Sequence, residues 1–125
     1  MRVGDSVAVA RAYSRADIAS FAALAGVPAG TIDAVPEPLL GALFSYLLGV
    51  KLPGPGTNYL KQELRFHAPA PLGETLTATV AITRLRPDKH LCDLATSITP
   101  SAGAIVASGR ALVLVTGVAR PIETS

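Results

Sequence analysis

The chain of 125 residues has no tryptophan, one methionine and one cysteine, Cys92. A lone cysteine excludes an internal disulfide and gives no sign of an oxidising compartment. Aromatic residues make up 5% of the chain and charged residues 16%. The arginines are scattered, with no block of like charge and little aromatic interleaving. A nucleic-acid groove needs clustered cations and stacking rings, so that class is set aside. The longest apolar stretch, residues 39–50, falls well short of the roughly 20 residues needed to span a bilayer. The opening segment MRVGDSVAVARAYS carries charges throughout and has no signal-peptide core. No spacing among Cys, His, Asp and Glu resembles a metal site, and no cofactor is implied. The expectation is a soluble, cytoplasmic protein that binds neither membrane nor nucleic acid.

Half the residues are apolar, a globular composition, and the length suits one domain over 1–125. The net charge of +2 and pI near 9.0 suit a phosphate-bearing small ligand. Ser14 with Asp17 three residues on forms a capping box. The apolar residues that follow (Ile18, Phe21, Ala22, Leu24, Ala25) predict an amphipathic helix of about three turns ending at Gly26. The run GVPAGTIDAVPEP is punctuated by glycine and proline and reads as loop. LLGALFSYLLGV is apolar on nearly every face, so it predicts a helix wrapped on most sides, stopped by KLPGPG.

From Thr57 onward the period becomes two. Leu60, Gln62, Leu64 and Phe66 alternate with Lys61, Glu63, Arg65 and His67, which predicts a half-buried strand. Leu76, Ala78, Val80 and Ile82 alternate with threonines. Turns at Pro87-Asp88-Lys89 and near Ser101 separate this run from Cys92, Leu94, Thr96 and Ile98, and from a last strand ending near Val115. With residues 7–13, about five strands result, the later ones as antiparallel hairpins. An antiparallel sheet with one apolar face must cover it, and the 38–50 helix is the only element fit to do so. The fold class is α+β: an antiparallel sheet of about five strands wrapped around a central apolar helix. Its open edge calls for a homodimer or a heterodimer with a similar chain.

The stretch VPEPLLGALFSYLLGVKLPGPGTNYLKQELRFHAPAPLGETLTATV resembles the MaoC-like (R)-specific enoyl-CoA hydratases. VGDSVAV, YSRADIASFAALAG and TRLRPDKHLCDLAT extend the resemblance over nearly the whole chain. It implies a hot-dog fold and an acyl thioester ligand on CoA or acyl-carrier protein. It also implies a D-x-N-P-x-H segment after the first helix, whose Asp and His move the proton and the water. Here ALAG runs directly into VPAGTIDAVPEP, about a dozen residues shorter than the family pattern, and no Asn-Pro-x-His occurs in it. The V-H-G-M-like start of the family's central helix, whose amides polarise the thioester carbonyl, is matched by Val35, Pro36, Glu37 and Pro38. Proline has no N–H, so the two possible donors flanking Glu37 are gone and Glu37 keeps its amide between them.

Individual residues carry competing readings. Glu37 is a dipole-stabilised surface carboxylate, or a replacement acid/base or gating group at the tunnel mouth. Asp33 is a solvated loop residue, or a surrogate for the missing aspartate. Gln62 is a buried amide bonded to backbone near the central helix, or a contact of the bound thioester. Leu39, Tyr46 and Phe66 are further candidates for substrate contact, with Tyr46 and Ser45 serving packing rather than catalysis. His67 is expected on the solvated face, His90 at a hairpin end, and Cys92 as an inert buried thiol. Three functions follow. The first is a degenerate hydratase-like subunit that binds an acyl thioester or pairs with an active partner, without the usual dyad. The second is a dehydratase, cyclase or isomerase of altered chemistry using Asp33 or Glu37. The third is a binder of a hydrophobic small molecule.

Overall fold

Helix α1 (Arg15–Ala25) begins at the capping box read from the sequence. The Asp17 amide donates to Ser14 Oγ (3.2 Å), and the Asp17 carboxylate accepts from the Ser14 amide (2.9 Å). The Ser14 amide and then the Ser14 hydroxyl, both donating to that carboxylate, hold it below its ordinary pKa. Gly26 closes the helix in the left-handed conformation (φ 72°), as a glycine C-cap does. Only Ile18 and Ala22, one turn apart, are buried. Leu24, expected on the apolar stripe, is 92% exposed. Two residues beyond Ala22 lies the opposite side of a helix, so it cannot share that stripe.

The computed structural model describes residues 1–118 and Ile122. Five strands form one antiparallel sheet: β1 (Ser6–Arg11), β2 (Asn58–Phe66), β3 (Leu76–Arg86), β4 (Leu91–Pro100) and β5 (Ala107–Leu114). Their order is β1-β3-β4-β5-β2, which leaves β1 and β2 at the edges. Helix α2 (Glu37–Tyr46), continued by a wider turn at Leu47–Lys51, packs on β3 and β1. It buries Leu40, Leu43, Phe44, Leu47 and Leu48 against Val80, Ile82, Leu94 and Ile98. This is the hot-dog arrangement, a sheet curved around one apolar helix. The helix is not wrapped all round, however. Ala42, Ser45 and Tyr46 remain exposed on its open side.

The largest departure from the sequence reading is β2. It was expected to be half-buried, yet Leu60 is 54% exposed, Phe66 is 38% exposed and Gln62 is exposed too. The buried amide expected at Gln62 is therefore not found. The alternation itself is sound. Gln62, Leu64 and Phe66 pair with Ala111, Gly109 and Ala107, all on the core face of β5. What is missing is the cover, because α2 lies over the other half of the sheet. A bulge at Leu60, between the Tyr59–Val113 and Lys61–Leu112 pairs, also drops that residue out of the ladder. On the outer face, Glu63 meets Lys61 (3.4 Å) and Arg110 (3.6 Å).

Gly109 fixes how closely β2 approaches. A Cβ there would overlap the Glu63 carbonyl oxygen and lie 2.8 Å from its carbon. No helix among the described residues is long and apolar enough to cross a membrane.

Candidate functional site

The loop between α1 and α2 is short, and both of its flanks are tied down. Arg15 Nη1 donates to the Ile32 carbonyl (2.7 Å), fastening the loop to α1. The Val35 amide donates to the Ala70 carbonyl (2.9 Å), fastening it to the segment after β2. Val35 is buried, so the chain reaches α2 from a fixed point. Asp33 and Glu37 flank that point and are both exposed.

Between this loop, the tip of α2 and the end of β2 lies an open cavity of about 620 Å³. Its apolar wall is built by Phe21, Val27, Ile32, Leu40 and Phe66. Its ionisable groups are Asp33, Glu37 and His67. An apolar cleft with a few convergent polar groups is the usual form of a small-molecule site.

The tip of α2 has few open donors. A helix normally presents four unpaired amides at its start. Here Pro38 has none, and the Leu39 and Leu40 amides donate to the Pro36 carbonyl (3.0 and 3.4 Å). The Glu37 amide is left as the open donor of that turn, beside its own carboxylate.

His67 is the group the sequence reading did not place here. As expected it is exposed, and its Nε2 lies 2.7 Å from Ser108 Oγ on the outer face of β5. It also stands one residue past the end of β2, where the strand turns into the cavity wall, and its own amide donates to the Val106 carbonyl (2.7 Å). The signal available in sequence was its position after Phe66, at the strand end that an antiparallel sheet brings toward the helix tip.

The other candidates divide. Phe66 lines the cavity with Asp33 and Glu37, whereas Leu39, Tyr46 and Gln62 are not among its lining residues. Leu39 is half-buried against the core, and its carbonyl accepts from the Tyr13 hydroxyl (3.4 Å). Tyr46 is 40% exposed on the open side of α2. On that side the Ser45 hydroxyl bonds to Tyr59 of β2, which partly offsets the upward push of burial on the phenol. Cys92 is buried in the core, and burial, with the Asp93 charge next to it, pushes its thiol up to about 12. His90 closes the β3–β4 hairpin with φ 55°. Among the described residues no group of three or more His, Cys, Asp or Glu is placed to hold a metal ion.

Fold and cavity together define a hot-dog protein, and comparison with known proteins narrows this further. The chain is 36% identical to the (R)-specific enoyl-CoA hydratase of Aeromonas caviae over 126 residues, covering 90% of this chain and 94% of that one. It is 37% identical to the enzyme of the same name from Rhodospirillum rubrum over 128 residues, covering 92% and 88%. The solved R-hydratase PhaJ1 from Pseudomonas aeruginosa superposes with a TM-score of 0.81 at 30% identity, covering 98% of this chain and 84% of that one. No family model matches the chain. By these relatives, the chain belongs to the (R)-specific enoyl-CoA hydratase family.

Proposed function

We propose that this chain is a hot-dog subunit that holds an acyl thioester, of the acyl-CoA class, in the cavity at the tip of α2, without the D-x-N-P-x-H dyad of its relatives. The observation that carries this reading is the cavity itself. It keeps an apolar wall for an acyl chain beside the helix tip, although the loop that precedes the helix is short. Relatives over most of the chain are named for enoyl-CoA chemistry, which supports the same ligand class. A second reading, altered acid/base chemistry, is favoured by Asp33 and Glu37 lining one cavity.

The uncovered core face of β2 and the open side of α2 leave Tyr46, Tyr59 and Leu60 exposed. An exposed edge strand of this length invites pairing. Its occupant in this proposal is a second copy of the chain, argued from charge. Antiparallel pairing centred on Gln62 would set Lys61 of one copy against Glu63 of the other.

Calorimetric titration of the purified chain with crotonyl-CoA tests the ligand. Binding is expected, and it should weaken at least tenfold in Ile32→Arg and Phe66→Arg, since about 1.4 kcal/mol of lost apolar contact gives that factor. Absence of binding, or binding indifferent to both substitutions, would refute the proposal. Binding of a free fatty acid but of no thioester would refute it in favour of a hydrophobic small-molecule carrier. A requirement for acyl-carrier protein would overturn the CoA assignment.

A further inference from the structure

We propose that Asp33 and Glu37 set the specificity of the cavity by charge: they reject an acyl group that ends in a carboxylate and admit an uncharged one. The inference rests on the reading that the cavity holds an acyl thioester, and it names the kind of acyl group. The cavity is the site, and the two carboxylates stand in its wall on either side of buried Val35. Their backbone is held in place by the Arg15 bond to the Ile32 carbonyl (2.7 Å) and the Val35 bond to the Ala70 carbonyl (2.9 Å). Neither carboxylate has a hydrogen bond or an ion pair among the described residues. No lysine or arginine is among the residues that line the cavity. The remaining ionisable residue of the wall, His67, has its ring bonded to Ser108 on the outer face of the sheet (2.7 Å), away from the two carboxylates. The tip of α2 could have welcomed an anion through its free amides. Pro38 removes one of them, and the Leu39 and Leu40 amides are taken by the Pro36 carbonyl. The same turn therefore gives up anion donors and gains a negative charge.

The size of the cavity decides whether this charge can be avoided. A sphere of about 620 Å³ is roughly 10 Å across, close to the screening length of about 8 Å at physiological salt. An acyl end buried there stays within reach of both carboxylates. Asp33 and Glu37 are exposed, so the screening of bulk water applies to them. Like charges about 4 Å apart then weaken binding about fivefold, and about 8 Å apart about twofold. The two carboxylates together give roughly fivefold to twentyfold against a terminal carboxylate. The phosphates of CoA lie at the far end of the pantetheine arm, beyond the screening length, so the effect falls on the acyl group and spares the carrier.

Calorimetric titration of the full chain with hexanoyl-CoA, 6-hydroxyhexanoyl-CoA and adipoyl-CoA tests this. The three acyl chains differ at their ends, which are methyl, hydroxyl and carboxylate. The hydroxyl compound separates the effect of charge from the loss of apolar contact. Adipoyl-CoA should bind about fivefold to twentyfold more weakly than 6-hydroxyhexanoyl-CoA, and high salt should narrow that gap. In Asp33→Asn/Glu37→Gln the gap should close to about twofold or less, and Asp33→Lys should shift the preference toward adipoyl-CoA. A structural role for either residue would move all three ligands alike and leave the gap as it was. If the double variant does not fold, the salt dependence of the wild-type gap and the Asp33→Lys variant decide. Equal binding of the hydroxyl and carboxylate compounds, or a gap that persists in the double variant, would overturn the inference and leave the thioester reading standing. Binding of none of the three would sink the thioester reading and this inference with it.

Discussion

Thr96 sits at the centre of β4 on the core face, between Val80 of β3 and Gly109 of β5. It is 2% exposed, and its hydroxyl has no hydrogen-bond partner among the described residues. A buried hydroxyl left unpaired costs roughly 1–3 kcal/mol, and replacing it by an apolar group of the same shape removes that cost. Valine has that shape, so Thr96→Val is expected to stabilise the fold by about 1–2 kcal/mol. Unfolding entropy near 2.1 cal/mol/K per residue gives about 260 cal/mol/K for this length, so the midpoint should rise by about 4–8 °C. The measurement is a thermal melt followed by circular dichroism, with urea unfolding to confirm a shifted midpoint at constant slope. Thr96→Ser is the control. It keeps the hydroxyl, loses a buried methyl and should cost about 1 kcal/mol. A fall in stability for the valine variant would refute the reasoning, because it would mean the hydroxyl is satisfied in solution.

Two other outcomes follow from the geometry. Cys92 should resist a thiol-reactive chromogenic disulfide in the native protein and react on unfolding. Its thiol is held up to about 12 against an ordinary 9.0, so the unfolded chain loses this proton first. Its contribution to stability is therefore full below about pH 9 and declines as pH rises toward 12. Early modification of the folded chain, or no such decline relative to Cys92→Ala, would count against the buried assignment. At the β2 edge, gel filtration should give a dimer for the wild type, a shift toward monomer for Lys61→Glu, and recovery in Lys61→Glu/Glu63→Lys. A wild type that runs as a monomer at every concentration, or that dimerises only with a different hot-dog chain, would overturn self-pairing.

Much of the fold could be read because local chemistry and tertiary structure agree. The Ser14–Asp17 box, the left-handed Gly26, the apolar helix and the alternating threonine strands each have one low-energy interpretation, and each is found. The errors have a common cause. Period two reports which face of a strand points inward, and Gln62, Leu64 and Phe66 do point that way. It does not report whether anything lies above that face. Cover depends on where β2 ends up in the sheet order, and β2 runs to the far edge beside β5. Leu24 failed because it was counted with the stripe although it lies two residues past Ala22, on the opposite side of the helix. The cavity was only partly legible. Asp33, Glu37 and Phe66 were chosen from the loop, the helix start and the strand end, and they line it together. His67 was missed because strand parity sends its side chain outward, while its place at the strand terminus brings it to the cavity wall.

The short loop and the Pro-Glu-Pro helix start act on one another. Tying Ile32 to Arg15 and Val35 to Ala70 leaves the chain little slack before Pro36, whose fixed φ suits the cap of α2. Pro38 then removes an amide from the first turn, and Pro36 occupies the Leu39 and Leu40 amides with its carbonyl. Chemistry that builds charge on a thioester oxygen at this tip would lean on the Glu37 amide, close to the Glu37 carboxylate. Loss of one oxyanion donor costs roughly 100-fold to 1,000-fold in rate. Under the proposed reading, a site of this construction holds a thioester more readily than it hydrates one.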